Sequence, residues 1–185
     1  MTEPAIQRTL RRRRLRLWAV RAAAVALLAM GIWASVVEPS RLVQRDHALM
    51  LPHWPQSCDG LRIDVVGDTH TGSPHNGIAN LDRVVQALMA SDASVVLLAG
   101  DYVILQVLLG SYMPGGQIAR HLQPLAARKP VYAVLGNHDW WKGGPAISRA
   151  FSGAGIHMID NRAVPVQVGR CRFWLAGLGD LLEGD

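Results

Sequence analysis

The hydrophobic pattern changes character along the chain. Leu17 to Val37, "LWAVRAAAVALLAMGIWASVV", is apolar all the way round a helix, broken only by Arg21. From about Leu61, apolar runs that end in polar tips alternate with stretches of helical spacing. The first run, "LRIDVVGDTH", leads through Ile63, Val65 and Val66 into Gly67, Asp68, Thr69 and His70. A helix follows, with Leu81, Val84, Val85, Leu88 and Met89 on one face. "SVVLLAGDYV" is continuously apolar from Val95 to Ala99 and ends in Gly100 and Asp101, as a strand covered on both faces would read.

A weaker helical pattern, carried by Ile118, Leu122 and Leu125, leads to Pro130 and then to "VYAVLGNHDWW". There Val131 to Leu135 has the look of a buried strand, stopped by Asn137, His138 and Asp139. Pro145 is placed to begin a helix with Ile147 and Phe151, and Gly153 to stop it. Strand alternating with helix implies right-handed crossovers and a mainly parallel sheet, so the fold class is α/β. From Ile156 the runs "IHMI", "VPVQV" and "CRFWLAGLGD" read as further strands without intervening helices.

Charge decides how the N-terminal stretch is read. The net charge is +5, but Arg8, Arg11, Arg12, Arg13, Arg14, Arg16 and Arg21 face only Glu3 in the first 21 residues, and the remainder is nearly neutral. That removes a nucleic-acid footprint from the folded part and makes the basicity a topological signal. Residues 1–16 form a basic cytoplasmic segment and 17–37 a transmembrane signal anchor, with Trp18 and Trp33 toward its ends. The positive-inside rule puts the following domain on the extracytoplasmic side of the plasma (inner) membrane, single-pass. Ala29-Met30-Gly31 would also suit a cleaved signal peptide; the apolar run continuing to Val37 favours the anchor. Residues 38–57, with Pro39, Pro52 and Pro55, read as a tether, and 58–185 as the domain. Cys58 and Cys171 could pair in an oxidising compartment or remain thiols.

In open parallel sheets the loops at the carboxyl ends of the strands emerge on one edge. Asp68, His70, Asp101, Asn137, His138 and Asp139 all fall there. Carboxylates, imidazole and an amide oxygen make a donor set of borderline hardness, suited to Mn, Fe or Zn rather than to an all-oxygen calcium cage. A carboxylate can bridge two such ions, and two ions can clamp a phosphate and activate a water. Each motif alone is an ordinary turn or helix cap; the ending of successive strands by all of them is what carries the reading. No Ser or Cys nucleophile with a base, and no Gly-rich Lys-Ser/Thr phosphate loop, supports a covalent or nucleoside-triphosphatase route.

"GDTH", "GDY" and "GNHD", in this order, resemble the first blocks of the calcineurin-like metallophosphoesterase family. "LLAGDYV", "YAVLGNHDWW" and "LAGLGDLLEG" are similar to its membrane-anchored phosphohydrolase branch, over about Leu61 to Gly184. The resemblance implies a partial αββα sandwich and a dinuclear centre in which Asp68 and His70 hold one ion, Asp101 bridges and Asn137 holds the other. It implies that His138 assists the leaving group or steadies the scissile phosphate, and that Asp139 orients His138. The implied activity is hydrolysis of a phosphomonoester, phosphodiester or pyrophosphate by metal-activated water, with a lipid or envelope-precursor phosphate fitting the membrane location.

The family's later histidine and Gly-His-x-His blocks would follow "LAGLGDLLEG". His47, His53, His75, His121 and His157 lie in the tether, loops or element interiors and match neither block. The chain therefore reads as the N-terminal part of the domain, C-terminally truncated. The expectations that follow are weak metal binding at an open half-site, an unpaired sheet edge and exposed apolar surface. The alternative is an inert membrane-anchored fragment that at most binds metal or phosphate. His75 is expected to be a solvated loop residue, and Trp140 and Trp141 to be packing residues.

Overall fold

The computed structural model describes residues 3–180; Leu181 to Asp185, the end of the "LAGLGDLLEG" stretch, lie outside the described residues. The chain forms two compact units, divided between Arg41 and Leu42. The first is one helix, α1 (Glu3–Ile32), extended by a π-helical turn at Trp33–Val37 and a 3₁₀ turn at Glu38–Ser40. Its basic and apolar parts are thus continuous. The stretch Leu10–Ser40 is long and apolar enough to cross a bilayer, and its side chains, Leu17, Trp18, Leu27 and Trp33 among them, lie exposed.

The second unit holds the alternating pattern. Strands β1 (Ile63–Val66), β2 (Val95–Leu98), β3 (Val131–Ala133) and β4 (His157–Met158) form a parallel sheet in the order β1-β2-β3-β4. Helix α2 (Ile78–Ala90) joins β1 to β2, α3 (Gly115–Ala126) joins β2 to β3, and α4 (Asn137–Trp141) with α5 (Gly144–Gly153) joins β3 to β4. "IHMI" therefore becomes another parallel strand, reached through a helix.

Leu81, Val85 and Leu88 of α2, Ile118, Leu122 and Leu125 of α3, and Ile147 and Phe151 of α5 bury themselves in one core with Val96, Leu98, Val131 and Ala133 of the sheet. Val95 is as fully buried as Val96, so β2 starts covered on both faces, as its unbroken apolar run requires. The edge strand β1 leaves Val65 exposed.

β5 (Arg162–Val168) and β6 (Cys171–Gly177) form a separate antiparallel hairpin. The end of the connecting segment is fastened to it. Cys58 and Cys171 form a disulfide, the Trp54 and Phe173 rings meet at 5.4 Å, and the Trp54 indole donates to the Cys58 carbonyl at 3.1 Å. Of the two fates open to the cysteines, pairing is the one adopted.

Candidate metal centre

The parallel register brings the tips of β1, β2 and β3 side by side, and backbone hydrogen bonds then lace the loops together. Asp68 N–H donates to Gly100 O at 3.1 Å, His70 N–H to Asp101 O at 2.9 Å, and Thr71 N–H to Tyr102 O at 2.9 Å. The β2 loop is tied in turn to the β3 tip, where His138 N–H donates to Asp101 Oδ1 at 3.0 Å.

Glycines make this approach feasible. Gly100 has φ +89°, and a Cβ there would stand 2.5 Å from the Gly136 nitrogen. A Cβ on Gly136 would collide with Asp101 Oδ1. Their necessity arises from two loops abutting each other, a closer constraint than clearance for an ion. Asp68, His70 and Asp101 themselves adopt φ of 51°, 36° and 55°. Left-handed non-glycine residues cost about 1–3 kcal/mol each and persist where surrounding structure over-determines them.

Within this frame His70 Nε2 stands 3.8 Å from Asp68 Oδ1 and 3.8 Å from Asp101 Oδ2. Its Nδ1 lies 3.3 Å from the Val103 carbonyl, an acceptor only, so that nitrogen carries a hydrogen and Nε2 is the ring atom that faces the carboxylates. The His70 and His138 rings meet edge to face at 4.7 Å. His70, Asp101 and His138 offer ligand atoms that all lie within 4.8 Å of one another. Asp68 is exposed beside them, and Asn137 opens α4 next to His138.

Asp139 is placed differently from the rest. It is fully buried, with Oδ1 accepting the N–H groups of Tyr102 and Val103 at 3.0 and 3.1 Å and Oδ2 that of Gly136 at 3.0 Å. Its oxygens go to backbone, while the buried Nδ1 of His138 has no hydrogen-bond partner among the described residues. Through these bonds Asp139 is a carboxylate that knots two loops together. Burial raises its carboxyl from the ordinary aspartate value, against the pull of the three N–H donors, with the nearby Asp101 charge adding to the rise.

Tyr102 is the residue that sequence reasoning passed over, although "GDY" contains it. Its buried hydroxyl lies 2.7 Å from Val134 O and 3.0 Å from Leu98 O, and accepts Gly100 N–H at 3.2 Å. Desolvation chiefly drives its phenol well above the ordinary value, so it stays neutral and able to donate. Asp160 acts likewise, accepting Leu135 N–H at 2.7 Å. The two tryptophans divide: Trp140 packs against the core, whereas Trp141 is exposed and stacks on His138 at 5.8 Å and 25°. His75 is exposed in its loop, and His121 pairs with Asp82 at 2.7 Å between α3 and α2.

The model of calcineurin-like phosphoesterases matches residues 61–173, the segment that contains every one of these groups. The chain belongs to the calcineurin-like phosphoesterase family. Among curated relatives, it is 29% identical over 119 residues to a zebrafish (Danio rerio) "Transmembrane protein with metallophosphoesterase domain", covering 63% of this chain and 25% of that protein. It is 33% identical over 93 residues to "Phosphodiesterase YaeI" of Escherichia coli K12, covering 49% of this chain and 33% of that protein. The chain thus spans a third or less of the length of either relative. For a calcineurin-like phosphoesterase the donor set fits: an imidazole with its second nitrogen against a backbone carbonyl, a half-buried carboxylate and a further imidazole converge as a His/Asp group able to hold a divalent ion.

Proposed function

We propose that this chain carries the metal-dependent phosphoesterase chemistry of its family, hydrolysing a phosphomonoester, phosphodiester or pyrophosphate at a dinuclear site. Asp68 and His70 would hold one divalent ion, Asn137 the other, with Asp101 between them; Mn, Fe and Zn all suit these donors. Bound there, two such ions supply a clamp for phosphate oxygens and an acidified water. The protein's own share is positional. Asp101 is held toward the β3 tip by His138 N–H, and Asp139 fixes the two loops against each other. The His138 ring, seated between His70 and Trp141, is where a proton for the leaving oxygen would be held.

The observation that carries this reading is the convergence of His70, Asp101 and His138 from separate strand tips. The cellular placement we propose is an α1 that anchors the chain in the plasma (inner) membrane, arginines inside, with the domain on the extracytoplasmic side. Two features support it: the arginine excess lies before the apolar stretch, and the disulfide belongs to an oxidising compartment. An amphiphilic lipid or envelope-precursor phosphate is then the substrate class at hand.

The test is hydrolysis of a chromogenic phosphodiester by the full chain with added Mn²⁺. Turnover that vanishes in Asp101→Ala supports the reading. Mn²⁺ binding without turnover would leave an inert metal-binding membrane protein in its place.

A further inference from the structure

We propose that the turn Val107–Gly110, together with Tyr112, Trp141 and Lys142, is a docking surface for a lipid bilayer, set on the rim of the metal centre. After Asp101 the chain buries Tyr102, Val103 and Ile104 and then turns outward. Gly110 N–H donates to Val107 O at 2.9 Å, closing a tight turn with Leu108 and Leu109 at its tip. These leucines are 86% and 87% exposed. Leu109 has φ 62°, a conformation that turns ordinarily assign to glycine or asparagine at this position. Leucines held out in water on a left-handed turn are what contact with an apolar surface would stabilise.

The base of the turn is rigidly attached to the site. Ser111 N–H donates to Gly72 O at 2.8 Å, and Val103 bridges Thr71, the neighbour of His70. Next to the turn come groups of another kind. Lys142 Nζ lies 5.3 Å from the centre of the Tyr112 ring, and Trp141, 53% exposed, stacks on His138. Exposed leucines, aromatic rings and a lysine are the side-chain types suited to acyl chains, interface and anionic headgroups of a bilayer surface. The chain also carries, in α1, an exposed apolar length suited to a bilayer, which under the placement proposed above would keep lipid within reach of the domain. This inference rests on the membrane placement proposed above and is independent of the metal chemistry.

Both cysteines are consumed in the disulfide, so one introduced cysteine is the sole free thiol of the chain. The full chain, reconstituted into vesicles of neutral and anionic phospholipid, is labelled with a small fluorophore at Leu108→Cys, or at Leu109→Cys as a second reporter. Gln167→Cys on the exposed β5–β6 hairpin is the solvent control and Val25→Cys in α1 reports insertion. Lipid-borne quencher should act on position 108 at least about threefold more strongly than on 167, and aqueous iodide correspondingly less. Iodide quenching at 108 equal to that at 167 overturns the docking, as does shielding from both quenchers, which would mean that protein covers the tip. If lipid quenching is lost at 25 as well as 108, the membrane placement fails with it; if 25 alone keeps it, only the docking fails.

Discussion

Oδ1 of Asp139 accepts the backbone N–H of Tyr102 at 3.0 Å, a contact between residues 37 apart in the chain. The same oxygen takes Val103 N–H, and the other takes Gly136 N–H. One buried carboxylate therefore satisfies donors from two loops that carry the ligand group. Asp139→Ala would leave all three without this partner, the Tyr102 and Val103 donors buried, at about 1–3 kcal/mol for a typical unsatisfied group. We expect a loss of about 3 kcal/mol or more in urea unfolding, with Asp139→Asn, which retains an oxygen for Tyr102 and Val103, losing about half as much.

Tyr102→Phe keeps the ring in the core beside Phe151 and removes only the hydroxyl. The carbonyl of Val134 and the N–H of Gly100 then lose a partner at the junction of the β2 and β3 tips. Destabilisation of about 1–2 kcal/mol is expected. Faster hydrogen exchange at Gly100, with little change at amides of α2, would locate the effect.

The disulfide closes a loop with a sequence separation of 113. Chain-entropy arguments assign a loop of that size about 4–5 kcal/mol, model-dependent. Cys58→Ser with Cys171→Ser should lower the urea midpoint substantially, and reductant should shift the midpoint of the natural chain but not that of the double variant.

Gly136→Ala adds a methyl where Oδ1 of Asp101 lies. The carboxylate must move or the β2 and β3 tips must part. Mn²⁺ affinity, read by calorimetry on the full chain, should fall by about 10–100-fold, the range seen when a ligand loses its support. Gly153→Ala, where a Cβ meets open space within a helix, should leave it unchanged.

Much of this molecule is local and was therefore legible from residue order. Apolar spacing locates α2, α3, α5 and the first three strands, because burial of one helix face leaves a mark of 3.6 residues and a covered strand leaves an unbroken run. "GDTH", "GDY" and "GNHD" identify the strand tips, and the parallel order then implies that they share an edge.

Residue order carries the alternation, the long apolar helix and the residue types that meet at the centre. The tertiary structure alone decided that Asp139 ties loops together, that Tyr102 pins two strand ends, that Cys58 and Cys171 pair, and that Trp141 and Trp140 face different surroundings. The physical reason is the range of the interactions. Periodicity records which side of an element is dry, a property of neighbours in the chain. Which oxygen receives which N–H depends on atoms more than thirty residues away, whose positions exist only once the sheet has formed.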